Sequence, residues 1–272
     1  MPTNSNAASR KAGLTQPQRD QFLATGVVHL PGVIPRPAAE AMADRLWDTL
    51  ADQHGLVRHR PETWTKERPA QFRDLRHSDA FAAMASPGLA ALLDDLFGEG
   101  GWTPPAHWGQ PLVTFPTGAT AWRVPHAAWH LDIAPGQVLE PWPDYIRIFT
   151  FLAPLEPGGG GTVYVSGSHK VVMQMMAEAQ RPERIRSATI AGALRLESAW
   201  IAALCSPDDA PQRTARFMQT GASLRGVHLR VAEMTGGPGD VVLMRPATLH
   251  SLSPNGRTTP RLMLAESVYA KA

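Results

Sequence analysis

Apolar side chains recur at helical spacing in the first hundred residues and at strand spacing after about residue 108. Thr15 and Gln18 form a capping-box pattern with Pro17 in the first turn, which predicts a helix that Gly26 stops. Val27-Val28-His29-Leu30-Pro31-Gly32 reads as a short strand entering a turn. A second helix is predicted from Pro37 to His54, with Met42, Leu46, Trp47 and Leu50 on one face and Gly55 as its stop. Ser86 caps a third, Pro87 is its first residue, and Leu89, Leu92, Leu93, Leu96 and Phe97 keep helical spacing before Gly98. Residues 57–77 are rich in Arg, Pro and Glu and lack a period, so a loop over a pocket is expected there.

Downstream of Trp108, short β-rich runs at about 110–116, 120–133, 144–152, 161–166, 223–231, 239–245, 248–253 and 260–269 are separated by Gly, Pro and Asn. Such spacing predicts a sandwich or barrel. Residues 170–220 interrupt it with helical patterns around Val171–Gln180 and Leu194–Cys205. The expected organisation is a disordered tail over 1–14 and one domain over 15–272. That domain has a helical flank at 15–100, a β core at 108–169 and 221–270, and a helical insertion at 170–220.

Composition narrows the classes. The 272 residues carry 26 basic and 24 acidic side chains, scattered without a run of one sign, which argues against nucleic acid or an anionic membrane as partner. A single cysteine, Cys205, excludes an intrachain disulfide, a multi-cysteine zinc site and an iron–sulfur cluster. The first residues lack the apolar core of a signal peptide, and no apolar run reaches membrane length. A cytoplasmic protein acting on a small molecule is expected.

Chemistry concentrates in Pro125-His126-Ala127-Ala128-Trp129-His130-Leu131-Asp132. On a strand, His130 and Asp132 share a face, bringing an imidazole and a carboxylate side by side, as one metal ion requires. His250, on Ala247-Thr248-Leu249-His250-Ser251-Leu252, is the candidate third ligand. Two histidines and one carboxylate on one face of an octahedral iron leave three positions open, two for a chelating 2-oxo acid and one for dioxygen. The far carboxylate of that acid needs a cation. Arg261, on the next predicted strand, supplies a planar fork that cannot lose its charge, whereas Arg257 sits in the Pro254-Asn255-Gly256 turn.

His130-x-Asp132, Gly160-Gly161-Thr162-Val163-Tyr164-Val165-Ser166-Gly167-Ser168-His169, Gly239-Asp240-Val241-Val242, His250 with Pro254-Asn255, and Arg261 together resemble the phytanoyl-CoA dioxygenase family. The resemblance runs from about Phe22 to the C-terminus. It implies a double-stranded β-helix (jelly roll, cupin-like) core with N-terminal helices, and an iron(II)- and 2-oxoglutarate-dependent dioxygenase that uses O2. The implied reaction hydroxylates, or otherwise oxidises, an unactivated C–H bond with release of succinate and CO2. It also implies His130, Asp132 and His250 as iron ligands and Arg261 as the cosubstrate anchor, with Thr114 and Thr150 as further cosubstrate contacts. Related halogenases lack the carboxylate, so Asp132 argues against halogenation.

Each of these residues has a plainer reading. His130, Asp132 and His250 could be unrelated polar residues of a β protein, and Arg261 an edge-strand surface residue. His126 shares the parity of His130, but a fourth protein ligand would block oxygen or cosubstrate, so a pocket-lining or structural role is expected. His169 is expected to bond backbone in a turn, and Asp240 to make a tight turn. Trp102, Trp108, Trp122 and Trp129 read chiefly as packing, as do Met173, Met175 and Met176. The arginines of 57–77 and 170–220 (Arg58, Arg60, Arg68, Arg73, Arg76, Arg181, Arg184 and Arg186) are solvated or meet an anionic group. Two rival functions use the same ligands: a zinc or manganese isomerase or hydrolase on a cupin-like fold, which would not need Arg261, and a non-catalytic jelly-roll binding module.

Overall fold

The computed structural model describes residues 13–118, 121–133, 143–179, 186–207 and 210–271. The expected tail at 1–14 falls almost wholly outside them, as do Arg181 and Arg184. Helix α1 (Gln16–Thr25) begins where the Thr15 backbone N–H donates to Gln18 Oε1 at 2.8 Å. It ends where Gly26, at φ 81°, turns the chain into β1 (Val27–Leu30). Helix α2 (Arg36–His54) stops at left-handed Gly55, and the short α3 (Arg73–His77) follows. In α4 (Pro87–Phe97) the Ser86 hydroxyl accepts from Leu89 N–H at 3.1 Å. The remaining strands are β2 (Trp102–Thr103), β3 (Gln110–Thr114), β4 (Tyr145–Phe151), β5 (Val163–Ser166), β6 (Ala222–Leu224), β7 (Val227–Glu233), β8 (Val241–Met244), β9 (His250–Ser251) and β10 (Arg261–Ala270). Between β5 and β6 lie α5 (Ser168–Ala177), α6 (Ser187–Glu197) and α7 (Ala199–Leu204).

Two antiparallel sheets form a jelly roll. The six-stranded sheet runs β1-β8-β4-β10-β2, with β3 also paired to β10, and the four-stranded sheet runs β6-β7-β5-β9. Strand alternation sorts the side chains into three apolar layers. Ile146, Ile148, Leu152, Val241, Leu243, Leu262 and Leu264 face outward and pack under α1, α2 and α4. Phe149, Phe151, Val242, Met244, Met263 and Ala265 face inward, between the sheets. Val163, Val165, Leu229 and Val231 leave the four-stranded sheet on its outer side and are covered by α5, α6 and α7.

Several expectations change. Over 121–133 the expected strand is a loop, and among the described residues its ladder contact is a bridge between His130 and His250. Residues 119 and 120 lie outside the described residues. Pro125 cannot donate to a ladder, and Ala128 stands at φ 62°, which breaks an extended run. The run expected at 223–231 is a hairpin of β6 and β7 turning at Arg225-Gly226, with φ 50° and 76°. The helix expected over Leu194–Cys205 divides at Ser198, whose hydroxyl caps α7 by accepting from Ile201 N–H. Residues 57–77 hold a 3-10 turn at Pro61–Thr63 and α3 rather than loop alone. β2 was not foreseen, because two residues carry no period. Among the described residues no helix is long and apolar enough to cross a membrane.

Candidate metal and cosubstrate site

The bridge that replaces the expected strand builds the site. His130 N–H donates to His250 O at 2.9 Å and His250 N–H to His130 O at 3.0 Å. Asp132 N–H donates to Pro246 O at 3.1 Å, which fixes the next alternate residue. Trp129, Leu131 and Ile133 bury themselves outside the small sheet, so His130 and Asp132 turn the other way. β9 is in turn pinned by β5, with Tyr164 opposite His250, and by Ser168 Oγ accepting Leu249 N–H at 2.9 Å.

Each imidazole is oriented by a carbonyl two residues upstream. His130 Nδ1 lies 2.8 Å from Ala128 O, and His250 Nδ1 lies 3.0 Å from Thr248 O. A carbonyl cannot donate, so each Nδ1 carries the hydrogen and each Nε2 presents a lone pair. Asp132 Oδ1 is 3.7 Å from His130 Nε2, and Asp132 Oδ2 is 3.6 Å from His250 Nε2. One ligand atom from each of the three residues lies within 4.8 Å of the others. Burial first, and then the neighbouring His130, holds the His250 imidazole below its ordinary pKa against the pull of Asp132. A neutral imidazole is the form that ligates. A cavity of about 350 Å³ opens beside exposed His130, walled by Ala188, Ala191 and Gly192 of α6.

Deeper between the sheets, Arg261 is 2% exposed. Its Nη1 donates to Gly160 O at 2.6 Å, while its Nε is buried without a partner. Burial, with the charge of Arg68 adding to it and Glu233 opposing, brings its pKa down to about 10, so it remains a cation at neutral pH. Thr114 pairs with Arg261 in register across β3 and β10, and its hydroxyl is also buried and unpartnered. So is the hydroxyl of Thr162, two residues beyond the carbonyl that Arg261 binds. A buried guanidinium with an unmet Nε donor beside the unmet hydroxyl of Thr114 costs several kcal/mol unless an anion joins them. The distal carboxylate of a 2-oxo diacid fits that need.

Thr150 is a correction. Its alternation on β4 is that of Ile146, Ile148 and Leu152, so it faces the helices, and its hydroxyl donates to Asp240 O at 2.9 Å. It lies on the opposite face of the sheet from Arg261. His126 is exposed and outside the metal cluster. His169 is buried and bonds Leu23 O at 3.1 Å, and Asp240 makes its turn by accepting Gly237 N–H at 2.8 Å and Gly32 N–H at 2.9 Å. Arg58, Arg60, Arg68 and Arg76 are paired with Asp44, Glu62, Glu67 and Glu266. Sequence reasoning missed Arg147, Tyr164, Thr162 and Glu233. Arg147, a lone cation in the apolar run Tyr145–Phe151, was the detectable signal among them.

The sequence model of the phytanoyl-CoA dioxygenase family matches residues 22–262. The chain belongs to this family. Its members are iron- and 2-oxoglutarate-dependent oxygenases, and the site has the donor set for both groups. Solved structures share the fold. HygX from Streptomyces hygroscopicus, with nickel and 2-oxoglutarate bound, is 17% identical with a TM-score of 0.54, over 96% of this chain and 88% of that one. The α-ketoglutarate-dependent carbocyclase SnoK from nogalamycin biosynthesis is 15% identical at 0.54, over 95% and 85%. AviO1 from Streptomyces viridochromogenes Tue57 is 19% identical at 0.52, over 96% of each. No curated protein sequence matches the chain.

Proposed function

We propose that the protein uses iron(II), 2-oxoglutarate and O2 to hydroxylate, or similarly oxidise, an unactivated C–H bond of a small metabolite or natural-product intermediate. In this reading His130, Asp132 and His250 hold the iron and Arg261 anchors the cosubstrate. The observation that carries it is the pairing of two features in one inter-sheet space: a three-residue cluster with ligand atoms within 4.8 Å, and a buried arginine whose Nε is left unmet. Bound iron would activate dioxygen as 2-oxoglutarate is oxidised to succinate and CO2. The chain's own part is to bind, orient and exclude water. The carbonyls of Ala128 and Thr248 keep both Nε2 atoms free. Arg261, with Thr114 and Thr162 beside it, would receive the distal carboxylate in a bidentate way. Phe149, Phe151, Met244 and Met263 make the space between the sheets apolar, which keeps water from the reacting end.

The same relatedness extends to a carbocyclase, SnoK, and an epimerase, SnoN, so the class of site is compatible with several outcomes of C–H oxidation. Residues 15–272 are taken to work as one cytoplasmic oxygenase domain on a small molecule, without nucleic acid or membrane. The test is anaerobic visible absorption of metal-free protein as iron(II) and then 2-oxoglutarate are added. A weak charge-transfer band that needs both additions, and is lost in Asp132→Ala, supports the reading. No band at saturating concentrations of both would sink it.

A further inference from the structure

The proposed function leaves Arg147, a charged side chain in contact with the ligand cluster, without a role. It projects from β4 into the inter-sheet space, its Nε 3.1 Å from Asp132 Oδ2. Its Nη1 donates to Ser267 Oγ at 2.8 Å, and Ser267 lies opposite it in register on β10. Its guanidinium carbon stands 5.7 Å from the centre of the Phe149 ring. Both Arg147 Nε and Asp132 Oδ2 are buried and neither has an aligned hydrogen bond, so the contact between them is an ion pair rather than a hydrogen bond. Three contacts therefore hold the guanidinium against one oxygen of the candidate carboxylate ligand.

We infer that Arg147 is a positioning residue that restricts Asp132 to one-oxygen ligation; this rests on the iron reading above. A carboxylate free to rotate can chelate a cation through both oxygens. With two histidines that would occupy four of six octahedral positions, leaving two for a chelating 2-oxo acid and none for dioxygen. A guanidinium on Oδ2 competes for that oxygen and leaves Oδ1, on the His130 side, for the metal. Among the described residues the other side chain near that oxygen is His250, whose Nε2 stands 3.6 Å away and is itself a candidate ligand. Arg147 also forms one wall of a cavity of about 480 Å³ lined by Arg76, Glu266, Ser267 and Tyr269. The side chain that holds Asp132 thus separates the ligand cluster from that space.

The experiment compares wild type, Arg147→Met, Arg147→Gln and Arg147→Lys as iron(II)-loaded protein under anaerobic conditions. It measures iron(II) affinity, the 2-oxoglutarate dissociation constant, the position of the visible band and, with nitric oxide standing in for dioxygen, the affinity of the remaining iron position. In the two neutral variants nitric oxide affinity is expected to fall at least about tenfold and the band to move, with iron(II) and 2-oxoglutarate binding retained. Arg147→Lys keeps a cation beside Oδ2 and is expected to stay within about threefold of wild type. Circular dichroism and the thermal midpoint identify which neutral variant is folded. A folded neutral variant with wild-type band and nitric oxide affinity overturns the assignment of Arg147 alone. A wild type that gives no band overturns the iron reading itself.

Discussion

His130 and His250 exchange backbone hydrogen bonds in both directions, and their rings stand 4.1 Å apart between centroids at an angle of 49°. That reciprocal bridge and the Ser251 hydroxyl, which donates to Ala127 O at 2.7 Å, tie the 121–133 loop to β9 at the ligand cluster. A metal held by both side chains adds a further tie across the same junction. Ligand binding to the folded state alone stabilises it by about 2.7 kcal/mol at a hundredfold excess over the dissociation constant. Iron(II) or nickel(II) is therefore expected to raise the thermal midpoint of the wild type by several degrees. His250→Ala and Asp132→Ala should abolish that shift, and a shift of equal size in either variant would place the metal elsewhere.

Thr114 and Thr150 give opposite expectations from similar surroundings. Both are buried, but Thr114 shares the inner face with Arg261, whereas Thr150 faces the helices. Arg261→Ala is expected to weaken 2-oxoglutarate binding by about thirtyfold or more, since truncating one partner of a buried charge pair costs about 2–5 kcal/mol. Thr114→Val should cost about three- to tenfold through one lost hydrogen bond. Thr150→Val should leave cosubstrate affinity unchanged and lower stability by about 1 kcal/mol through its bond to Asp240 O. Isothermal titration of the nickel-loaded protein separates the three. Equal losses in both threonine variants would refute the assignment of faces.

The two threonines also mark how far the sequence could be read. Helices α1, α2 and α4 were legible because Thr15, Ser86, Gly26, Gly55 and Gly98 punctuate them. β4 offered no such guide, because helices cover one face and the second sheet the other. Its run Tyr-Ile-Arg-Ile-Phe-Thr-Phe is apolar on both sides, and parity cannot be told without the partner layers. The shared face of His130 and Asp132 was anticipated correctly, though by an argument from a strand that does not form. Burial of Trp129, Leu131 and Ile133 imposes the alternation instead. Glu233 was invisible because its role is local to a turn formed only in three dimensions. Its carboxylate accepts the N–H groups of Gly158 and Gly161, 2.7 and 3.0 Å away, beside the carbonyl that receives Arg261.

His169 predicts a pH dependence of stability. Burial first, and then the charge of Arg245, holds its pKa at about 4, against 6.5 for an ordinary histidine. The unfolded chain therefore takes up the proton first. The stabilising contribution is complete above about pH 6.5 and is lost as pH falls toward 4, by up to about 3 kcal/mol. His169→Gln should lower stability at pH 7.5 but lose less than wild type between pH 7.5 and 5.0. Urea unfolding at the two pH values measures this, and parallel losses in the two proteins would show that His169 is not the group responsible.

Ala128 joins local backbone strain to the ligand cluster. It holds φ 62°, a conformation that costs a non-glycine residue about 1–2 kcal/mol, and its carbonyl receives the Nδ1 hydrogen of His130. Glycine adopts that conformation freely, so Ala128→Gly is expected to keep the carbonyl in place and to stabilise the protein by up to about 1 kcal/mol. Ala128→Val adds a branched Cβ where the left-handed region is most crowded. It should destabilise by a further 1–2 kcal/mol, roughly, and weaken nickel(II) binding, because a shifted carbonyl no longer fixes which nitrogen of His130 is free. Urea unfolding and nickel titration of the two variants test both halves of the argument. If Ala128→Val bound nickel as tightly as wild type, the carbonyl of residue 128 would not be what orients His130, and the bridge to His250 would have to suffice.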